Sequence, residues 1–291
     1  MAINPELHGG DLVKRHRLST RLWHWLNAFT IFVMVGSGLM IFNAHPRLYW
    51  GQYGANYETP WLEIHNDGPS HGHLRVGPMT IQTDNVLGTG RFEAFPGWAT
   101  LPGGYDLAKA RRWHFFFAWM LVLPWLAYLI TSLFNRHIQG ELAPTGDELA
   151  PKHILHDIVE HAKLRFPTGA AALHHNILQK LSYLGVLLGL IPAMILTGLT
   201  LSPGWVAAWP WLNVLFGGRA SARSVHFIGM SLIVGFIVVH LLMVVLAGPI
   251  NEIRSMITGK FRLPEEGSPS FVPGLIIALR SRFAPAKEPH L

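Results

Sequence analysis

The chain has 291 residues, of which 50% are hydrophobic and 14% charged, against roughly 25% charged residues in ordinary globular proteins. It contains 17 His and no Cys, which excludes disulfides, thiolate zinc sites, Cys-ligated iron–sulfur clusters and covalently attached c-type haem. The formal net charge of +6 comes with no basic helix and no aromatic-basic RNA motif. Loop lysines and arginines of a membrane protein therefore explain this charge better than nucleic-acid binding does.

Four stretches are apolar and long enough to cross a bilayer, which needs about 20 residues. We predict an all-α membrane protein with a four-helix transmembrane bundle and spans at residues 22–42, 113–134, 177–201 and 225–250. The first span follows several basic residues, as in a signal peptide, but it exceeds the usual apolar region of roughly 7–15 residues and no A-x-A site follows. We therefore predict a retained helix, a four-helix domain over residues 1–262 and a tail over residues 263–291.

The segments between the spans differ in charge and in length. The N-terminus, the second link and the tail are richer in Lys and Arg than the first and third links, which predicts that both termini are cytoplasmic. The first link, residues 43–112, is long and aromatic, which favours an ordered cap or docking surface on the extracytoplasmic side. Apolar residues at helical spacing predict short interfacial helices at residues 153–166 and 271–279.

Four histidines lie inside or at the edges of the spans, where ionisable side chains are costly and are functional candidates. His24 opens the first span near the inner face, and His114 opens the second near the outer face. On the fourth helix, His226 and His240 lie about 21 Å apart along the axis and within roughly 40° of one stripe. The placement predicts two pairs at two depths, His24 with His240 and His114 with His226.

Two histidines that face each other across a bundle suit a six-coordinate haem iron, and a chain without Cys would hold b-type haem. Buried histidines also have roles that need no haem. A single membrane histidine often serves packing or hydrogen bonding, and a proton relay or metal transporter would also use buried histidines, although we would then expect Asp or Glu beside them. Arg112, Arg219 and Arg223 near the outer pair, and Arg21 near the inner pair, suit either haem propionates or interfacial anchoring.

The ordered set of motifs resembles the di-haem cytochrome b subunits of formate dehydrogenase, nickel–iron hydrogenase and thiosulfate reductase, and is closest to the thiosulfate-reductase-like branch. The resemblance extends from about residue 14 to residue 262. The segments that carry it are residues 21–25 (RLWHW), the pair Trp113-His114, residues 176–180 (NILQK), the His226/His240 spacing, residues 42–51 (FNAHPRLYWG) and residues 255–259 (SMITG).

The resemblance implies a subunit of the bacterial inner membrane that passes electrons between the quinone pool and an extracytoplasmic catalytic subunit, commonly molybdopterin-containing. It implies the same two histidine pairs as haem ligands. It also implies a quinone pocket beside the inner haem that uses Asn176, with the Leu178 backbone and His240 nearby. We add Lys180 as a cation that could stabilise quinone anions, while a helix N-cap is the plainer role for Asn176.

Two alternative functions stay open on the sequence alone. One is a stand-alone di-haem oxidoreductase of the same fold that acts on a small molecule at the outer haem. The other is a His-lined metal or proton transporter without haem. The long first link differs from that of the better-known members of the resembled family, so we expect its docking surface to be its own.

Overall fold

The computed structural model describes residues 7–54, 57–68, 71–88, 93–136, 138–267 and 274. Within these ranges, four helices are long and apolar enough to cross a membrane, which confirms the predicted all-α membrane class. The helices are α1 Leu18–Asn43, α2 Leu107–Phe134, α3 Pro151–Ala162, α4 Ile177–Leu184, α5 Ile191–Leu201, α6 Pro203–Ala208, α7 Trp211–Leu215, α8 Arg219–Ala247 and α9 Pro249–Thr258. The strands are β1 Leu12–Lys14, β2 Arg47–Leu48, β3 Leu62–Asn66, β4 Gly72–Val76, β5 Met79–Gln82 and β6 Lys260–Arg262.

Helices α1, α2 and α8 begin four to six residues before the apolar runs that predicted them, because a helix continues past the point where polar residues appear, whereas α4 begins at the predicted residue 177. Asp106 precedes α2, and its carboxylate accepts the backbone N–H of Lys109 at 2.9 Å. This bond lowers the pKa of Asp106 and marks the true start of the helix. Helix α8 stops at Ala247, three residues before the predicted end of the fourth span at residue 250, and Gly248 adopts a φ of 122° before α9.

The third span is one helical segment with a π-helical turn in its middle. The turn covers Gly185–Leu190 and separates α4 from α5, whose first turn contains Pro192. A proline lacks the N–H that a helix needs, and wider turns of this kind accommodate the missing bond. The carbonyl of Leu187 accepts the indole N–H of Trp125 at 3.0 Å, so another side chain satisfies a backbone group within the apolar span.

The chain divides into two compact units. The first unit comprises Met1–Leu22, Ser132–Gly185 and Gly235–Leu291, and the second comprises Trp23–Thr131 and Val186–Val234. In the first unit, β1 and β6 form an antiparallel pair, and Phe261 and Leu263 are buried beside it. An ion pair between Arg15 and Glu252, 3.1 Å long, lies next to this small core.

In the second unit, the first link folds as a four-stranded antiparallel sheet in the order β2-β3-β4-β5. The sequence predicted an ordered segment here but no strands. Leu48, Leu62 and Ile64 are buried in a core that also includes Phe42 of α1 and is flanked by Phe227 of α8. This packing explains why the link is ordered, since the sheet buries one apolar face against the ends of membrane helices.

Hydrogen bonds tie the sheet region to α8. The indole of Trp61 donates to the Ser224 hydroxyl at 2.9 Å, and that hydroxyl donates to the carbonyl of Tyr49 at 2.5 Å. Gly218, just before α8, has a φ of +121°, and a Cβ built there would lie 2.4 Å from the carbonyl oxygen of Gly51. Only glycine permits this approach.

The predicted interfacial helix at residues 153–166 corresponds to α3, which begins two residues earlier and ends at Ala162. Its apolar side chains, including Leu155 and Ile158, are exposed, as expected of a helix that lies on a membrane surface. The helix ends early because Leu164 adopts a left-handed φ of 56°. The second predicted interfacial helix, residues 271–279, lies outside the described residues apart from residue 274.

Candidate metal centre

Two of the four membrane histidines, His114 and His226, come together within the second unit. Helix α2 carries His114 and helix α8 carries His226. Their ring centroids are 6.3 Å apart and their planes are inclined by 62°. The structure therefore brings the two rings of this predicted pair close together.

A hydroxyl holds the Nδ1 atom of each imidazole. The Ser37 Oγ lies 3.1 Å from the Nδ1 of His114, and the Thr197 Oγ1 lies 2.8 Å from the Nδ1 of His226. Both hydroxyls also donate to a carbonyl four residues earlier in their own helices, at 2.7 Å from Ser37 and 2.6 Å from Thr197.

These contacts assign the same tautomer to both histidines. A hydroxyl has one proton, and the carbonyl takes it, so the oxygen must accept from the imidazole. The Nδ1 of His114 and of His226 therefore carries the proton. The Nε2 atom of each ring keeps its lone pair, which is the form of histidine that binds a metal.

The residues fit a haem iron with two axial histidines. Two imidazoles that bind one metal ion from opposite sides, with metal–nitrogen bonds of about 2.0 Å, have ring centres roughly 6 Å apart. The observed separation is 6.3 Å. Glycines lie beside both imidazoles, since a Cβ on Gly38 would be 3.4 Å from His114 and one on Gly198 would be 3.6 Å from His226.

Arg223 lies one helical turn before His226 and is held by His45. Its guanidinium donates to the carbonyl of His45 at 2.6 Å and to the Nδ1 of His45 at 3.1 Å. Because a guanidinium only donates, this Nδ1 must accept. Burial, followed by the charges of Arg223 and Arg47, lowers the pKa of His45, in agreement with a neutral ring.

The other predicted arginines have different surroundings. Arg219 donates to the carbonyl of Leu201 at 3.0 Å, and Arg112 is exposed. Arg219 and Arg223 lie one turn apart on α8, and the two arginines bind different backbone carbonyls. Arg21, in the first unit, lies against Gly259, where its Nη1 is 2.8 Å from the position of a Cβ.

The remaining membrane histidines belong to different units. His24 lies in α1 within the second unit, with its ring edge-on to Trp25 at 5.2 Å. His240 lies in α8 within the first unit and stacks on Phe236 at 5.8 Å. Their pairing stays a prediction from the sequence.

Asn176 is the N-cap of α4, the plainer role that the sequence allowed. Its side-chain oxygen accepts the backbone N–H of Gln179 at 2.9 Å, and the Gln179 side chain completes a capping box. The Nδ2 of Asn176 also contacts the Nε2 of His161 at 2.9 Å. The Nδ1 of His161 lies 2.8 Å from the carbonyl of Asp157, so Nδ1 donates there and Nε2 accepts from the amide.

The neighbouring predicted quinone contacts differ from one another. Leu178 occupies the second position of α4, where a backbone N–H has no acceptor within the helix. Lys180 forms an ion pair with Glu148, with Nζ to oxygen distances of 2.7 and 2.9 Å. This pair lowers the pKa of Glu148 and compensates the ammonium charge of Lys180.

The histidines of the first link form a different arrangement. His65 and His73 lie opposite each other on β3 and β4 with stacked rings 5.2 Å apart, and Asp67 reaches His73 at 3.0 Å. Across the described ranges, no group of three or more His, Cys, Asp or Glu is placed to hold a metal ion.

Sequence reasoning missed Ser37, Thr197, His45 and His161. The sequence shows Ser37 and Thr197 only as hydroxyl residues within apolar spans, and such residues usually bond to their own helix. Their contacts with histidines depend on the register between helices, which one sequence does not reveal.

Comparisons with known proteins point to one family. A family model described as "Prokaryotic cytochrome b561" matches residues 15–259. A curated relative from Azospira oryzae, named "Putative protein-methionine-sulfoxide reductase subunit YedZ1", is 29% identical over 227 residues, which cover 78% of this chain and 87% of the relative. No solved structure matches the chain.

Proposed function

The chain belongs to the prokaryotic cytochrome b561 family of membrane electron-transfer proteins that bind b-type haem, and from this premise we propose a specific path. Electrons would pass between a quinone and a catalytic oxidoreductase subunit, and two haems in one chain would supply the one-electron carriers. His114 and His226 would hold the outer haem. His24 and His240 would hold the inner haem, as expected from the depths of these residues along their helices and from the resemblance to di-haem subunits.

The facing pair of His114 and His226 is the observation that supports the outer haem. The Nδ1 atom of each ring is occupied by a hydroxyl contact, and the ring centroids are 6.3 Å apart, which suits two histidines that hold one iron. The bound haem supplies the one-electron redox change, and the chain supplies ligation, packing and electrostatics. Because there is no Cys, nothing but these ligands and the pocket would retain the group.

Around the proposed outer haem, Arg223 is the cation best placed for a propionate. It lies one turn from His226, and its guanidinium is oriented by two contacts with His45. A guanidinium has five N–H donors, so donors remain for a carboxylate after these two contacts. Arg112 and Arg21 are weaker candidates for the same role, since Arg112 is exposed and Arg21 lies against Gly259.

We place the quinone near the start of α4. The second amide proton of Asn176 and the backbone N–H of Leu178 are donors suited to a quinone oxygen. Oxidation of a quinol there releases two electrons and two protons, and His161 is a neutral base that already contacts the Asn176 amide. Lys180 would contribute its charge only after leaving Glu148.

The proposed partner follows from the relative and from the resemblance. The Azospira oryzae relative is named as a subunit of a protein-methionine-sulfoxide reductase, so we propose that the partner reduces an oxidised substrate of this kind and contains molybdopterin. We also propose a bacterial inner-membrane location with both termini cytoplasmic. Residues 1–262 then form the membrane domain, residues 263–291 form a cytoplasmic tail, and the sheet of the first link faces the partner.

Absorption spectroscopy of the purified chain tests this proposal. We expect a b-type band on dithionite reduction and two haems per chain. His226→Ala and His114→Ala should each reduce the ratio to one, whereas His71→Ala, on the exposed part of the first link, should retain both haems.

Each possible failure has its own meaning. A preparation without a reducible b-type band would contradict haem binding and favour a His-lined transporter. Two haems in His226→Ala would show that the ligand pairing is wrong. Turnover of a small substrate with quinol and no partner would favour the stand-alone oxidoreductase.

A further inference from the structure

The two hydroxyls that contact the facing histidines are completely buried in the membrane part of the chain. Ser37 on α1 and Thr197 on α5 are both 0% exposed. Each occupies the same chemical position, between a backbone carbonyl of its own helix and the Nδ1 of an imidazole. The arrangement is thus repeated on the two sides of the candidate metal centre, and it comes from two different helices.

A hydroxyl that only serves its own helix provides the comparison. Thr200 lies one turn after Thr197 on α5, is 1% exposed, and donates to the carbonyl of Leu196 at 2.8 Å. The Thr200 hydroxyl also lies 3.5 Å from the carbonyl oxygen of Leu212. Burial and back-bonding are therefore the same in Thr197 and Thr200, and the contact with His226 is what distinguishes them.

The second contact has a chemical consequence for the imidazole. A hydroxyl that donates its proton to a carbonyl becomes a stronger acceptor, because linked hydrogen bonds polarise one another in a low-dielectric interior. An imidazole whose Nδ1–H donates to such an acceptor has a more basic Nε2, and the bond also fixes the tautomer and the ring orientation. A more basic ligand favours the higher oxidation state of a bound metal.

We propose that Ser37 and Thr197 are positioning residues that hold His114 and His226 in the ligating tautomer and lower the reduction potential of the outer haem. The proposal rests on the proposed haem ligation. The two hydroxyls act in the same direction, because both increase the basicity of an axial ligand of the same iron. The outer haem is accordingly the one whose potential depends on membrane-buried hydroxyls of α1 and α5.

The experiment is a spectroelectrochemical titration of the purified holoprotein. Thr197→Val removes the hydroxyl and keeps the side-chain shape, and Thr200→Val is the matched control on the same helix. We expect Thr197→Val to raise the midpoint potential of the outer haem by the equivalent of about a tenfold change in the ferric-to-ferrous equilibrium, or about 59 mV for one electron. Ser37→Ala should shift it in the same direction, and the double variant should shift it further.

Further readouts separate a specific role from a general packing effect. Thr197→Ser keeps a hydroxyl and should retain the wild-type potential, while Thr200→Val and the inner haem should show no shift. Selective loss of the outer haem in Thr197→Val, with retention in Thr197→Ser and Thr200→Val, would also support the positioning role.

Unchanged potentials in Thr197→Val and Ser37→Ala, with both haems bound, would overturn this inference and leave the proposed function intact. An equal shift in Thr200→Val would overturn it too. Absence of haem from the wild-type chain would instead refute the proposed function.

Discussion

The buried carboxylate of Glu63 connects two arginines of the first-link sheet, and its neutralisation should loosen that sheet. Glu63 Oε1 accepts from Arg47 Nε and Oε2 accepts from Arg75 Nη2, both at 2.5 Å. The Glu63 side chain is 8% exposed, whereas the arginine side chains are 43% and 33% exposed. The hydrogen bond that Arg47 donates to Glu63 also raises the pKa of Arg47, so the sheet holds a carboxylate between two permanently charged groups.

Glu63→Gln keeps the shape of the side chain but places an NH₂ group against one guanidinium, donor against donor. One charge-assisted hydrogen bond is lost, worth roughly 1.5–3 kcal/mol, and the second is weakened. Water can reach both exposed arginines, so the cost falls below the roughly 3–5 kcal/mol of a fully buried pair. We expect about 2 kcal/mol of local destabilisation.

Hydrogen exchange measured by mass spectrometry checks this value in the purified protein. A loss of about 2 kcal/mol corresponds to exchange about 30-fold faster in peptides that cover β3 and β4. Glu58→Gln, at an exposed position nearby, is the matched control and should leave exchange unchanged. Equal exchange in Glu63→Gln and the wild type would refute the reasoning that this carboxylate stabilises the sheet.

Three further predictions concern other parts of the chain. The pKa of His45 lies below its ordinary 6.5 in the folded state, so the unfolded chain binds more protons at this residue. The contribution of neutral His45 to the free energy of unfolding is therefore present above about pH 6.5 and is lost as the pH falls through the lower folded pKa. Thermal unfolding at pH 7.5 and 5.5 should therefore show a smaller difference in His45→Gln than in the wild type, and an equal difference would contradict this. Asn176→Ser keeps a helix cap but loses the contact with His161, so quinol should reduce the haem more slowly while the hydrogen-exchange protection of α4 is retained. Asn176→Ala should also lose about 1 kcal/mol of that protection, because it removes the cap. Gly218→Ala should lower the thermal midpoint more than Gly217→Ala, since a Cβ at 218 meets backbone at 2.4 Å and one at 217 meets open space; equal effects would show that the close approach is unimportant.

The sequence predicted the membrane part of the fold because that part follows from one-dimensional patterns. An uncharged apolar run has few alternatives to a membrane helix, and histidine depth follows from helix rise. The prediction of His114 opposite His226 needed only these two rules, and the structure places the two rings 6.3 Å apart. The helix break at Gly248 was not predicted, because hydropathy does not register it.

The strands and the side-chain partners were not predicted, because they depend on contacts between segments that are distant in the sequence. The strand Leu62–Asn66 buries Glu63 as well as Leu62 and Ile64, so it lacks the clean alternation that identifies a half-buried strand. The partner of Arg223 lies 178 residues away in the chain. The ion pair of Lys180 with Glu148 joins a membrane helix to the second link, and a sequence does not show which carboxylate will be close.

The meander of the first link also implies an order of assembly. Within the described residues, strands β2 to β5 pair in sequence order, and such local contacts form quickly. The bond from Trp61 to Ser224 must wait, because Ser224 is 163 residues further along the chain. Helix α8, which carries both Ser224 and His226, is the last of the four membrane helices to be synthesised. When α8 packs into the bundle, Ser224 binds Trp61 of the sheet and, under the proposed ligation, His226 completes the pocket of the outer haem in the same step.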